Sequence, residues 1–252
     1  RCRGMSGAGR RRGPSALRTA MATVQRDERW WLKCLIYGAA ALSGLGLPLA
    51  AGFVMESLDN SRRGFPTPLP PWSDPALRWL TGLFCLLIDF AFMILPVLLG
   101  GLLVICASVG LVLAGPQGAA GVETALTVIF GGAGAVVLGL FLASVSPAGR
   151  LIFAREGRVE EAISAATPRW TLGEPQRAVF LRARLASLPA YLPAALLGGA
   201  TLALARLSFP GQLAAILLGL WLTLSALVYA HLVVVQLYVE AEKELQRRAL
   251  GM

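Results

Sequence analysis

The chain has 252 residues, 56% hydrophobic and 15% charged, with a formal net charge of +9 and a mean hydropathy of +0.66. A soluble domain carries about 25% charged residues, and the deficit here is concentrated in long uncharged runs, which excludes an ordinary water-soluble core. The positive charge comes from arginines grouped between those runs, without any ribonucleoprotein-like, zinc-finger or helix-turn-helix pattern, so anionic lipid headgroups are the expected counter-surface and nucleic acid is not.

Taken in chain order, residues 1–21 are basic, and Met5 and Met21 are both candidate starts. This segment is expected to lie outside the fold. Residues 22–33 form a polar lead-in whose Trp30, Trp31 and Lys33 suit the headgroup layer, because indole rings and basic heads prefer it. The first apolar segment, 34–55, has no charge, but Ser43, Gly44, Gly46 and Pro48 interrupt it. Such a break marks a kink or the tip of a re-entrant hairpin. Residues 56–78 are polar, and five prolines between Phe65 and Pro75 forbid a continuous helix there. Ser73 or Asp74 is placed to cap the next helix, with Pro75 in its first turn.

The second apolar segment, 77–114, exceeds one straight span, since about 20 residues cross a ~30 Å hydrocarbon core at ~1.5 Å per residue. Its first part, Arg78 to Ile88, suits the interface, and Pro96 is expected to kink the remainder. The third segment runs from 123 to 146, opens on Glu123, and carries Gly131, Gly132, Gly134 and Gly139, which allow close helix approach. Residues 147–184 are the one substantial polar block, with an amphipathic stretch at 153–163. The fourth segment, 185–207, holds Pro189 and Pro193, and the fifth, 211–239, leads into a charged helical end followed by a tail at 246–252.

Charge then orders the topology. The N-terminus, the 147–184 block and the C-terminal end all carry Arg or Lys, so all three are expected on the cytoplasmic side. Five simple spans violate this. Two arrangements satisfy it: four spans plus a re-entrant N-terminal element, or six spans with segment two folded into two. The fold class is therefore an all-α polytopic transmembrane bundle, N-in and C-in, with a single transmembrane domain over 22–245.

Several stretches have a familiar order. A Trp-Trp-Leu-Lys lead-in precedes a Gly-rich segment ending Ala51-Gly52-Phe53-Val54. Then come Arg62-Arg63-Gly64, Leu69-Pro70-Pro71-Trp72-Ser73-Asp74, Thr81-Gly82-Leu83 at the entry of a long helix with Pro96, and Phe153-Ala154-Arg155-Glu156-Gly157. Over 22–245 this resembles the bacterial membrane family catalogued as domain of unknown function 4013. The resemblance implies a multi-pass protein of the bacterial inner membrane and carries over no activity, substrate or catalytic residue.

Two residues are chemically out of place. Asp89 is the one acid deep inside an apolar run, where a charge costs ~2.5–3.5 kcal/mol at the helix centre, so it must pair, protonate or face water. His231 is the one histidine; it could relay protons, or simply form an interhelical hydrogen bond. Together Asp89 and His231 are the candidate intramembrane polar site. Arg155, Glu156, Arg158, Glu160 and Glu161 form the candidate partner-docking surface for a cytosolic or membrane protein. Cys2, Cys34, Cys85 and Cys106 lack CxxC spacing, so neither a metal site nor a cofactor is expected. With no GxSxG, HExxH or P-loop pattern, the chain is not expected to be an enzyme. A scaffold, assembly or accessory component is the leading expectation, and a small-solute or ion transporter using its broken helices and Asp89 is the alternative.

Overall fold

The structure is a computed structural model that describes residues 15–94, 98, 100–102, 105–106, 109, 131–132, 134, 137–208 and 210–251. Pro96, Glu123 and Cys2, each invoked above, lie outside the described residues. Every regular element among the described residues is helical. Four helical stretches are long and apolar enough to cross a membrane: Pro75–Met93, Val137–Glu156, Gln176–Leu204 and Gln212–Ala249.

The chain opens with α1 (Ala16–Val24), capped by the Ser15 side chain, which accepts from the Arg18 amide at 3.4 Å. The expectation that everything before residue 22 stands outside the fold is therefore corrected. Leu17, Ala20, Met21 and Val24 recur at helical spacing and pack on the core, with Val24 fully buried.

The first apolar segment is a helical hairpin, not one continuous helix. The helix α2 (Trp30–Leu42) is 13 residues long, or ~20 Å, too short for a ~30 Å core. Ser43 ends it by donating to the Ala40 carbonyl at 2.7 Å and accepting from the Gly46 amide at 3.1 Å. Gly44 takes the turn at φ +72°, a conformation that favours glycine. The chain returns as α3 (Leu47–Arg62).

The helix α4 (Pro75–Asp89) starts on Pro75 at its first turn, but neither expected cap acts: Asp74 adopts φ 48° and makes no side-chain cap hydrogen bond. A π-helical turn, Phe90–Ile94, follows directly. The helices α3 and α4 meet at bare backbone. A Cβ on Gly82 would overlap the Pro48 carbonyl and the Gly52 amide, and one on Gly52 would overlap the Arg78 carbonyl.

Helical residues 137–143 lead into α5 (Val145–Glu156), so the third apolar segment continues as helix into the polar block. The 153–163 stretch is two helices, correcting the single amphipathic one. Gly157 at φ +71° terminates α5, and its amide caps the Phe153 carbonyl at 2.8 Å. Then come α6 (Val159–Ile163), α7 (Ala166–Leu172), α8 (Gln176–Ser187), a 3₁₀ turn (Leu188–Tyr191) and α9 (Leu192–Leu204).

The 38-residue α10 (Gln212–Ala249) is the axis of the molecule. The helix α9 runs antiparallel to it, with Thr201 against Gly219 and Gly198 against Thr223. On α2, the Leu35 carbonyl accepts from the Trp221 indole at 2.8 Å, and Gly38 fits against Ser225. On α3, the Ser61 hydroxyl donates to Gln236 Oε1 at 2.8 Å, and Arg62 forks onto Glu242 at 2.8 and 3.3 Å. The two halves of α10 differ in surroundings. Leu213, Leu217, Leu218 and Leu220 are exposed, whereas Leu232, Val233, Leu237, Tyr238 and Val239 are buried with Phe53, Leu151 and Phe180. An exposed leucine face of this extent suits lipid, not water.

Candidate functional site

The site is built where α4, α5, α8 and α10 converge. Asp89 ends α4, at the point where the helix widens into its π turn. In the first turn of α5, Ser146 donates to Asp89 Oδ1. A further turn on, Arg150 forks onto the carboxylate, with Nε 3.1 Å from Oδ1 and Nη2 on Oδ2. Both partners are largely buried, their side chains 22% and 14% exposed. The fork geometry satisfies both carboxylate oxygens, as a planar guanidinium does best. Asp89 is thus paired, and its partner is an arginine of the 147–184 block.

His231 lies on α10 and faces the same space. Its ring stands edge-on to Tyr191, with centroids 5.6 Å apart and an interplanar angle of 86°. Asp89, Arg150, Arg184, Tyr191, His231 and Tyr238 line one cleft of about 470 Å³, whose remaining walls include Leu58, Met93, Phe141, Leu188, Val234 and Val235. The structure therefore brings the two polar residues singled out from the sequence to a single cavity.

Two arginines complete it that the sequence reading did not single out. Arg150 and Arg184 belong to the 147–184 block, which reads from the sequence simply as the one substantial polar block. Arg184 is 4% exposed and lies over two aromatic faces, 4.1 Å from the Phe141 centroid and 5.5 Å from that of Tyr238. Its Nε has no hydrogen-bond partner among the described residues, nor does Arg184 form an ion pair among them. The local signal was present: Phe180, Ala183, Arg184 and Ser187 share the buried stripe of α8, so Arg184 is the charge on its apolar side.

The docking residues sit elsewhere. Arg155 and Glu156 at the end of α5, Arg158 in the corner, and Glu160 and Glu161 on α6 are all exposed. Arg155 and Glu156 pair with each other at 2.7 Å while remaining about half exposed. The corner is anchored from beneath by buried Phe153 and Ala162, and by Thr167, whose hydroxyl donates to the Ala162 carbonyl at 2.8 Å. No group of three or more His, Cys, Asp or Glu able to hold a metal ion occurs among the described residues.

Four apolar helices long enough to cross a membrane, with an exposed leucine face, suggest a helical membrane protein. The chain belongs to the family described as Protein of unknown function (DUF4013), which matches residues 39–188. That match is narrower than the 22–245 resemblance. It includes Asp89, Ser146, Arg150 and Arg184, and stops short of α10 with His231 and Tyr238. No curated protein and no solved structure matches the chain.

Proposed function

We propose that this chain is a non-enzymatic scaffold, assembly or accessory component of a membrane, with both termini in the cytoplasm. The reading has four spans, with the α2–α3 hairpin dipping in from the cytoplasmic side. The resemblance to a bacterial family points to the inner membrane. The observation that carries the reading is the Asp89–Arg150 pair. The one acid of the apolar runs is engaged by a two-pronged partner and fastens α4 to α5. What remains exposed and charged is the α5–α6 corner, held rigid from below and suited to docking a protein partner.

The test is affinity capture from native membranes with a C-terminal tag, comparing the wild type with a chain whose Arg155, Glu156, Arg158, Glu160 and Glu161 are replaced by Gln. Reproducible partners lost only from the variant support the reading. An unchanged set of partners, or none in either sample, contradicts it. The solute-transport alternative draws on the cleft around Arg184; under that alternative Asp89→Asn abolishes flux in reconstituted vesicles while insertion is unaffected, and under the scaffold reading no flux exists to lose.

A further inference from the structure

Arg184 is the least satisfied charge in the cleft. Its guanidinium has five N–H donors and no capacity to accept. Two aromatic faces stabilise the cation without offering an acceptor in the guanidinium plane, and the Tyr191 hydroxyl beside it supplies only a neutral oxygen, with Nε left unpartnered among the described residues. The carboxylate of Asp89 is already engaged by Arg150 and Ser146. Counting Arg150 and Arg184 against Asp89, the cleft holds one positive charge in excess. A buried arginine that lacks a counter-charge among the described residues is expensive to keep, which makes an anion of the right shape a favourable occupant.

Position narrows the choice. Gly211 caps the outward end of α10, and His231 follows 20 residues later, ~30 Å along the helix axis, one hydrocarbon thickness. Arg184 is 22 residues before Arg206 on the antiparallel partner, a similar rise along its helix. The cleft therefore lies at headgroup depth on the side of the termini if the turn between α9 and α10 lies at the opposite surface. Its other walls are aliphatic and aromatic, with Met93, Leu188 and Val234 among them. A charged donor fork at headgroup depth beside apolar walls matches a phosphate carrying acyl chains.

We propose that the cleft binds a phosphate group on the Arg184 guanidinium, either the headgroup phosphate of an anionic phospholipid or a free phosphate. The lipid source rests on the membrane placement proposed above; the free source does not. The experiment has two arms, both on the full chain. In the first, the protein is reconstituted into nanodiscs of mixed phosphatidylglycerol and phosphatidylcholine, and lipids retained after release are counted by native mass spectrometry. In the second, inorganic phosphate is titrated into delipidated protein in neutral detergent while thermal stability is followed.

Retention of one phosphatidylglycerol per chain, at least about tenfold over phosphatidylcholine, assigns the lipid; stabilisation by millimolar phosphate without lipid preference assigns the free anion. Either effect should be lost in Arg184→Gln and kept in Arg182→Gln, an exposed neighbour on the same helix. Equal loss in both variants would mean diffuse surface charge and overturns the site. Absence of both effects in the wild type also overturns it, and that result needs no variant to fold.

Discussion

Replacing Asp89 by Asn tests how the junction of α4 and α5 is held. The amide keeps the shape and retains an acceptor for the Ser146 hydroxyl, so the change isolates the carboxylate charge and one prong of the arginine fork. Arg150 is then left with its charge 14% exposed and no counter-ion. Stripping one partner from a fully buried pair costs ~3–5 kcal/mol, and from an exposed pair ~0–1 kcal/mol. With roughly a fifth of each side chain in solvent, the expected loss is about 2–3 kcal/mol. Arg150→Met should fall in the same range, for the reverse reason. The double variant Asp89→Asn/Arg150→Met removes both charges, and the desolvation argument puts it closer to the wild type than either single change. Reversible unfolding in mixed micelles, followed by far-ultraviolet circular dichroism, reads all four corners of the cycle. Single variants within about 0.5 kcal/mol of the wild type, or strictly additive effects, would refute the reasoning.

Two further outcomes follow from packing. Gly82→Ala should destabilise by at least about 1–3 kcal/mol, because its Cβ meets the backbone of α3, which cannot rotate away. Gly199→Ala on α9, whose Cβ would meet nothing within 4 Å, should be neutral or stabilising by ~0.5–1 kcal/mol through helix propensity; equal responses in the same unfolding assay would contradict the α3–α4 contact. Glu242→Gln should weaken the anchoring of α3 to α10 by about 1–2 kcal/mol, since its pair with Arg62 is bidentate and mostly buried. By comparison, Glu156→Gln should change stability by less than ~0.5 kcal/mol, its pair with Arg155 being exposed. A loss of comparable size at both acids, in denaturation at low salt, would count against this ordering.

Much of the helical framework was legible from local chemistry. The break at Ser43–Pro48 is a turn because Gly44 supplies a left-handed residue and Ser43 bonds the backbone on both sides. Pro75 starts α4 because it lacks an amide the first turn would leave unused. The length of α10 follows from an apolar run that passes without a breaker into a charged helical end. Less legible was the fate of residues 153–163. Their apolar spacing reads as one helix, yet Gly157 offers a low-strain exit that the packing of Ala162 and Thr167 exploits. The site was half legible. Asp89 and His231 stand out because each is rare in its surroundings, whereas Arg150 and Arg184 are arginines among many arginines. Their selection by Asp89 and by the aromatic faces of Phe141 and Tyr238 is a matter of tertiary approach. Only the position of Arg184 on the buried stripe of α8 betrayed it locally.

The membrane arrangement is tested most directly by labelling single cysteines from each side of sealed, oriented vesicles with an impermeant maleimide. The four native cysteines are first replaced by alanine, and new ones are placed at Gly64, Gly157, Arg206 and Leu250. The four-span arrangement with an α2–α3 hairpin predicts that Gly64, Gly157 and Leu250 label from the cytoplasmic face, and that Arg206 labels from the opposite face alone. Labelling of Gly64 together with Arg206 would make the α2–α3 unit a crossing element, and labelling of Gly157 opposite Leu250 would contradict the account as a whole.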